Sequence, residues 1–250
     1  MPAIEVLLPL GAVGFYLFDS VLRLYGNEIV FYRVPGGWGF HAGTEELWFR
    51  KRIYLPNPFT PHVPLWRAHW SLGRSSTPAE LTDLRVLEAY VAMLWPLRVV
   101  VLLLLGLIVL GLPTVLATTG QGRVLVGLFA LIYALDLFAV VWLCSCRRAL
   151  GLSNRACIEL SVDALACPPF AINLLRKLSL RQSLRGDPLE LARPVFAPQP
   201  MSALGELLSR RVAYDVAAEP EGTARHQALI DYLGKLRNQT NLQEGSDVHL

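Results

Sequence analysis

The sequence predicts an α-helical integral membrane protein built on a transmembrane helical hairpin, and two observations carry that prediction. Val99–Thr118 and Val124–Cys146 are long apolar stretches, and only the short turn Thr119–Arg123 separates them. A run of about 20 predominantly apolar residues matches the roughly 30 Å hydrocarbon core of a bilayer. The hydrophobic share of the whole chain, 53%, is only slightly high for a soluble protein. The distribution of apolar residues is therefore more informative than their number.

Length and charge narrow the partners. A chain of 250 residues holds one or two ordinary domains. The net charge of +3, with no Lys/Arg cluster interleaved with aromatics, points away from nucleic acid. Lys51, Lys177 and Lys235 are the only lysines, while arginine, leucine, alanine, glycine and proline abound. That usage suggests a high-GC bacterial genome, and so a bacterial inner membrane.

Residues 1–24 read as an N-terminal helix that either crosses the membrane or lies against it. Met1-Pro2-Ala3-Ile4-Glu5 has no positive n-region, and no small-residue cleavage site follows, so a signal peptide is not expected. Only the thirteen residues Val6–Phe18 are free of charge, between Glu5 and Asp19, which is short for a crossing. Arg23 follows Asp19 at the spacing where helical side chains meet.

Residues 25–76 form a small β-containing segment. Glu28–Arg33, Trp38–His41 and Glu46–Leu55 are aromatic and β-branched runs, punctuated by Val34-Pro35-Gly36-Gly37 and Gly43. This is the signature of a small antiparallel meander, which needs an apolar cover; the membrane-proximal helices are the expected one. Pro56, Pro58, Pro61 and Pro64 then make the segment through Trp66 irregular. It is expected to be a rigid strap across the sheet, in preference to a docking strip for a partner's groove, because Phe59, Leu65 and Trp66 need cover.

Residues 77–146 form a capped helix leading into the hairpin. Thr77-Pro78-Ala79-Glu80 is a capping box with proline at the first helical position. Leu81, Leu84, Leu87, Val91 and Leu94 follow as an apolar stripe blurred by Glu88, and Pro96 bends the helix into the first span. Arg85 and Arg98 precede the hairpin, Arg147, Arg148 and Arg155 follow it, and Arg123 stands alone in the turn. The positive-inside rule thus places both flanks in the cytoplasm and the turn outside, with Trp95 and Trp142 at the cytoplasmic interface. Cys144, Cys146, Cys157 and Cys167 would then stay reduced. Their C-x-C spacing, followed by gaps of ten and nine residues, does not suit a zinc site, and ordinary apolar packing is expected.

Residues 147–237 are a basic helical cytoplasmic region. A basic helix is expected from Cys167-Pro168-Pro169-Phe170 through Leu184. Arg147, Arg148, Arg176, Lys177, Arg181 and Arg185 are candidate lipid-headgroup contacts, each attracted to an anionic surface by roughly 1 kcal/mol. A solvated face that simply expresses the positive-inside bias explains the same charges. After the linker Gly186–Pro200 come helices Ser202–Val212 and Thr223–Arg237, the second with Leu229, Tyr232, Leu233 and Leu236 on one face. Residues 238–250 read as a polar, disordered tail.

Asp136 is the candidate intramembrane interaction site. It lies mid-span between Leu135 and Leu137, where an acidic residue costs ~3 kcal/mol on insertion scales. A hydrogen bond from the protonated carboxyl to a neighbouring helix, in this chain, a second copy or a partner protein, is the favoured role; incidental tolerance and an ion-coupling site are the alternatives. No nucleophile elbow, zincin, P-loop or dinucleotide fingerprint occurs, and the histidines make no constellation. No catalytic, cofactor-binding or metal-binding residue is assigned, and no cofactor is expected. The expected function is a non-enzymatic accessory or scaffold subunit holding a partner, or a second copy of itself, at the cytoplasmic membrane face. The alternatives are an enzyme acting on a lipid or lipid-linked phosphate and a small transporter or channel subunit using Asp136.

Overall fold

The computed structural model describes residues 3–45, 48, 51–69, 84–118, 122–182, 184–185 and 187–246. The fold is mostly helical, with two long apolar helices and a small antiparallel sheet. The chain gathers into two compact units that alternate along the sequence. Unit 1 comprises Met1–Leu22, Leu55–Pro64 and Asp83–Arg181, and unit 2 comprises Arg23–Tyr54, Leu65–Thr82 and Gln182–Leu250.

Unit 1 is helical. Its elements are α1 (Ala3–Ser20), α2 (Leu84–Met93), α3 (Trp95–Gly106), a π-helical segment Leu107–Gly111, α4 (Leu112–Thr118), α5 (Gly122–Cys146), α6 (Asn154–Ala166), α7 (Pro168–Ala171) and α8 (Leu174–Arg181). Pro96 occupies the first turn of α3, where its missing N–H costs nothing, and the break between α2 and α3 falls there. From Trp95 to Thr118 the helix is continuous, 24 residues long, and α5 has 25. Both therefore extend slightly beyond the expected spans at their N-terminal ends. The capping box Thr77–Glu80 lies outside the described residues.

One inward stripe of each long helix makes the core: Leu97, Val101 and Leu104 from α3, and Ile132, Ala139 and Leu143 from α5. Leu160 of α6 and Ile172, Leu175 and Leu178 near and on α8 close it. The remaining faces are turned outward, so only 28% of the apolar window of either long helix is buried. A helix at the core of a soluble protein is mostly buried. These two are not.

Among the described residues unit 2 has two sheets and three helices. β1 (Leu22–Leu24), which starts at the last residue of unit 1, pairs with β4 (Arg52–Tyr54). The larger sheet has the order β3 (Gly37–His41), β2 (Glu28–Val34), β5 (Leu65–His69), β6 (Leu184–Arg185). β2 and β3 form a hairpin with Val34 opposite Gly37, and Gly36 takes the positive φ of 90° that the tight turn requires. β5 pairs antiparallel with β2, placing Trp66 opposite Phe31, and β6 joins β5 in parallel at Ala68 and Leu184.

Opposed residues share a face, so Phe40, Phe31 and Trp66 lie side by side across three strands. Phe196 packs on two of them, its ring 5.4 Å from Phe31 and 6.0 Å from Phe40. The cover thus comes from unit 2's own chain. α9 (Pro188–Ala192), α10 (Pro198–Ala218) and α11 (Ala224–Ser246) complete the unit, with α10 packed along α11.

Four expectations are corrected. The third strand of the main sheet is Leu65–His69, not the run 46–55, whose described part supplies β4 of the smaller sheet. Proline density disguised β5, because Pro64 is the last residue of the irregular segment and leaves Leu65 onward able to donate. The strap, residues 55–64, belongs to the helical unit. The basic helix is broken: α7 stops at Ala171, α8 ends at Arg181, and Arg185 falls on β6. Finally, α11 continues through Ser246, where a disordered tail is expected from Asn238.

Arg211 of α10 pins the open end of the hairpin. Its guanidinium donates to the carbonyl of Glu28, 3.3 Å away, and to that of Ala42. Burial, with Arg52 nearby, lowers its pKa to about 10, so it stays charged at neutral pH. Replacing it by alanine strips a charged donor from two strand-end carbonyls, and the expected loss is about 3 kcal/mol. Chemical unfolding of the purified protein, followed by tryptophan fluorescence, should show the Arg211→Ala midpoint well below wild type and Arg211→Lys between them. An unchanged midpoint for Arg211→Ala would show that the clamp contributes nothing.

Candidate functional site

Asp136 sits in the inward stripe of α5 with Ile132, Ala139 and Leu143, the i, i+4, i+7, i+11 positions of one helix face. It is 0% exposed, and neither carboxyl oxygen meets a hydrogen-bond donor among the described residues. The expected interaction site thus faces the interior of its own bundle. A helix from another chain reaches it only if the bundle opens.

A second polar group gathers at the C-terminal end of α1. Asp19 accepts from Lys177 Nζ at 2.9 Å, and Lys177 also lies 3.6 Å from Asp163. Asn173, in the turn between α7 and α8, donates to the Tyr16 carbonyl at 3.2 Å and to Asp19 Oδ2 at 3.1 Å. The Ser20 hydroxyl lies 2.8 Å from the same Tyr16 carbonyl and 3.1 Å from Asn173 Oδ1. The Tyr16 hydroxyl donates to the carbonyl of Pro58 in the strap. Arg176 donates to the strap carbonyls of Asn57 and Thr60, each at 2.7 Å.

Cys167 joins the two groups. It caps α7 in an extended conformation before Pro168 and Pro169. Burial pushes its thiol up; the charges of Asp19 and Asp136 push the same way, and Lys177 opposes them. One thiol therefore feels both carboxylates. A carboxyl in an apolar interior with no donor has a strong demand for a proton, a cation or an incoming donor. Asp19, by contrast, has Lys177 Nζ at 2.9 Å and the Asn173 amide at 3.1 Å.

The candidate headgroup residues are dispersed. Arg176 is 3% exposed and points inward, which removes it from any lipid surface. Lys177 is committed to Asp19 and Asp163, and Arg181 lies 3.6 Å from Glu159. Arg147 donates to Asn154 Oδ1, and Arg148 is exposed. The side chain of Arg185 lies outside the described residues. Asp19 marks an interface in the sequence and has Arg23 at helical spacing, yet its cation is Lys177, 158 positions away.

Asn173 and the pairing of Asp19 with Lys177 are not visible in the sequence, where Arg176 and Lys177 stand only as candidate headgroup contacts. Asp19, at the end of an apolar helix, was the one visible signal. Two of the four cysteines meet: Cys144 Sγ lies 3.4 Å from Cys157 Sγ. Among the described residues no three His, Cys, Asp or Glu side chains form a metal-binding group. No protein-family model matches the chain, and no curated protein or solved structure is significantly similar to it.

The two polar groups respond oppositely to truncation. Asn173→Ala leaves the Tyr16 carbonyl and Asp19 short of a buried donor and should destabilise the helical unit by about 2–3 kcal/mol. Asp136→Leu removes an unpaired buried carboxyl and should raise the thermal midpoint in detergent. A marked fall for Asp136→Leu would mean that the carboxyl has a stabilising partner.

Proposed function

We propose that this protein is a multi-pass membrane protein of a bacterial inner membrane, and that it serves as a non-enzymatic accessory or scaffold subunit. The observation that carries the reading is the pair of helices, 24 and 25 residues long, whose apolar faces remain mostly uncovered. Leu103, Leu110, Leu131 and Val141 are among the apolar side chains that point outward. Hydrocarbon is the solvent in which such faces cost nothing. In this reading the hairpin turn is outside, and the segments flanking it are cytoplasmic.

The accessory role is supported by how the polar groups are used. Arg176, Lys177 and Arg181 are engaged with backbone carbonyls and carboxylates of their own unit, which disfavours a lipid-phosphate enzyme built on them. The α10–α11 pair keeps Tyr214 and Ile230 exposed, apolar side chains available to a partner protein or a second copy. A second reading, a small transporter or channel subunit, is favoured by one observation: Asp136 faces inward. Asp136→Asn should then abolish a flux while the protein still assembles, whereas loss of a co-purifying partner on the same change supports the accessory role.

Membrane residence has a discriminating test. Leu103 and Leu131 are 50% and 49% exposed and lie well inside their helices. In water, arginine at such positions shifts stability by within about 0.5 kcal/mol. Near the centre of a bilayer the same substitution costs about 3 kcal/mol. Leu103→Arg and Leu131→Arg should each reduce the protein recovered in carbonate-washed membranes several-fold. Variants that stay folded and soluble without detergent would overturn the reading. Size-exclusion chromatography with mass spectrometry of the wild type then asks for a stoichiometric second protein.

A further inference from the structure

We infer that Cys144 and Cys157 are a dithiol–disulfide couple, a redox modification site whose oxidant is a hydroperoxide or a small-molecule disulfide. The inference stands on the connection between α5 and α6 and does not depend on the membrane reading. Cys144 lies in the last turn of α5 and Cys157 in the first turn of α6. Between them the chain reverses tightly: Leu150 N–H donates to the Cys146 carbonyl at 2.9 Å, and Leu152 N–H to the Arg147 carbonyl at 2.9 Å. Gly151 takes a positive φ of 65°, and the Ser153 hydroxyl caps α6 by accepting from Ala156 N–H. This turn lays α6 back against α5 and leaves the two sulfurs 3.4 Å apart. A bonded pair is at about 2.05 Å, so the two sulfurs, already in contact, need only approach by a further side-chain movement.

The two thiols are unequal in a way that assigns their roles. Cys144 is exposed, and Cys157 is 4% exposed behind it. Burial and the adjoining Cys144 push the Cys157 thiol up, which makes it the slower nucleophile. Cys144 is therefore the entry sulfur and Cys157 the resolving one. With a hydroperoxide ROOH, the Cys144 thiolate attacks the distal oxygen; the O–O bond breaks, RO⁻ leaves and takes up a proton as ROH, and Cys144 becomes a sulfenic acid. Cys157 sulfur then attacks the Cys144 sulfur, the S–O bond breaks, and hydroxide leaves with the Cys157 proton as water. Two thiols lose two electrons, and the peroxide gains them. With a disulfide RSSR, exchange at Cys144 releases RSH, and attack by Cys157 releases the second.

Closure would tie the end of α5 to the start of α6. α6 also presents Glu159 and Asp163, which bind Arg181 and Lys177 of α8. The couple therefore fixes the helix that holds α8 in place.

The test uses the full-length protein in detergent, reduced, freed of reductant and exposed to a slight excess of hydrogen peroxide or oxidised glutathione. Accessible thiols are counted after denaturation with a mass-tagged maleimide, and peptides are mapped by mass spectrometry. The expected result is a fall from four reactive thiols to two, with one cross-linked peptide pair containing Cys144 and Cys157, reversed by dithiothreitol. A Cys146→Ser/Cys167→Ser double variant should still lose both of its thiols, and Cys144→Ser should lose none to a cross-link. Four thiols surviving the oxidant, a cross-link through Cys146 or Cys167, or a stable Cys144–glutathione adduct that never engages Cys157 would each overturn the inference. The wild-type peptide map decides the matter even if a variant fails to fold.

Discussion

Each unit contains a buried arginine that donates to two backbone carbonyls more than a hundred residues earlier in the chain, and the organisation of both units depends on that arrangement. In the helical unit Arg176 holds the carbonyls of Asn57 and Thr60. In the sheet unit Arg211 holds those of Glu28 and Ala42. The need is the same in both. A proline-rich strap has few N–H groups of its own to offer, and the end of a two-stranded hairpin leaves carbonyls beyond the last rung of the ladder. Buried carbonyls without donors are costly, and a guanidinium supplies several donors from one side chain. The interleaved chain path follows from this, because the segments that need donors and those that supply them are far apart in sequence.

Asn173 extends the same logic to α1. A helix leaves its last carbonyls without intrahelical partners. Here the Tyr16 carbonyl receives the Asn173 amide and lies beside the Ser20 hydroxyl, while Asp19 is neutralised by Lys177. The turn that interrupts what would otherwise be one basic helix is thus the element that brings Asn173 and Lys177 to α1. Asp136 departs from this pattern. Every other buried charge named here has a donor or counter-ion, and Asp136 has neither among the described residues. Such an exception is where a functional role is worth seeking, and it separates the transporter reading from the accessory one.

The features legible in the sequence were those set by near neighbours. The two apolar helices, the helix break beside Pro96 and the hairpin turn at Gly36 each follow from a pattern a few residues long. So does the packing face of α11, where Leu229 and Leu236 are buried as their spacing requires. The candidate site was legible only in part. Asp136 stands out because a carboxylate interrupts an apolar run, but its direction does not, since any residue on α5 has neighbours on both sides. Lys177 and Arg176 are consecutive and look alike in sequence, yet one meets carboxylates and the other is enclosed by the strap.

The sequence by itself determined the two long apolar helices, the packing face of α11 and the β character of residues 28–41. These are local consequences of propensity, turn chemistry and hydrophobic spacing. Only the tertiary structure decided that β5 completes the main sheet, that the strap belongs with the helices and that Asp136 points inward. It also decided which cations are spent inside the fold and which two cysteines meet. The physical reason is common to all of them. Hydrogen-bond and charge satisfaction is a condition on pairs of groups, and when the partners lie far apart along the chain no local window contains both.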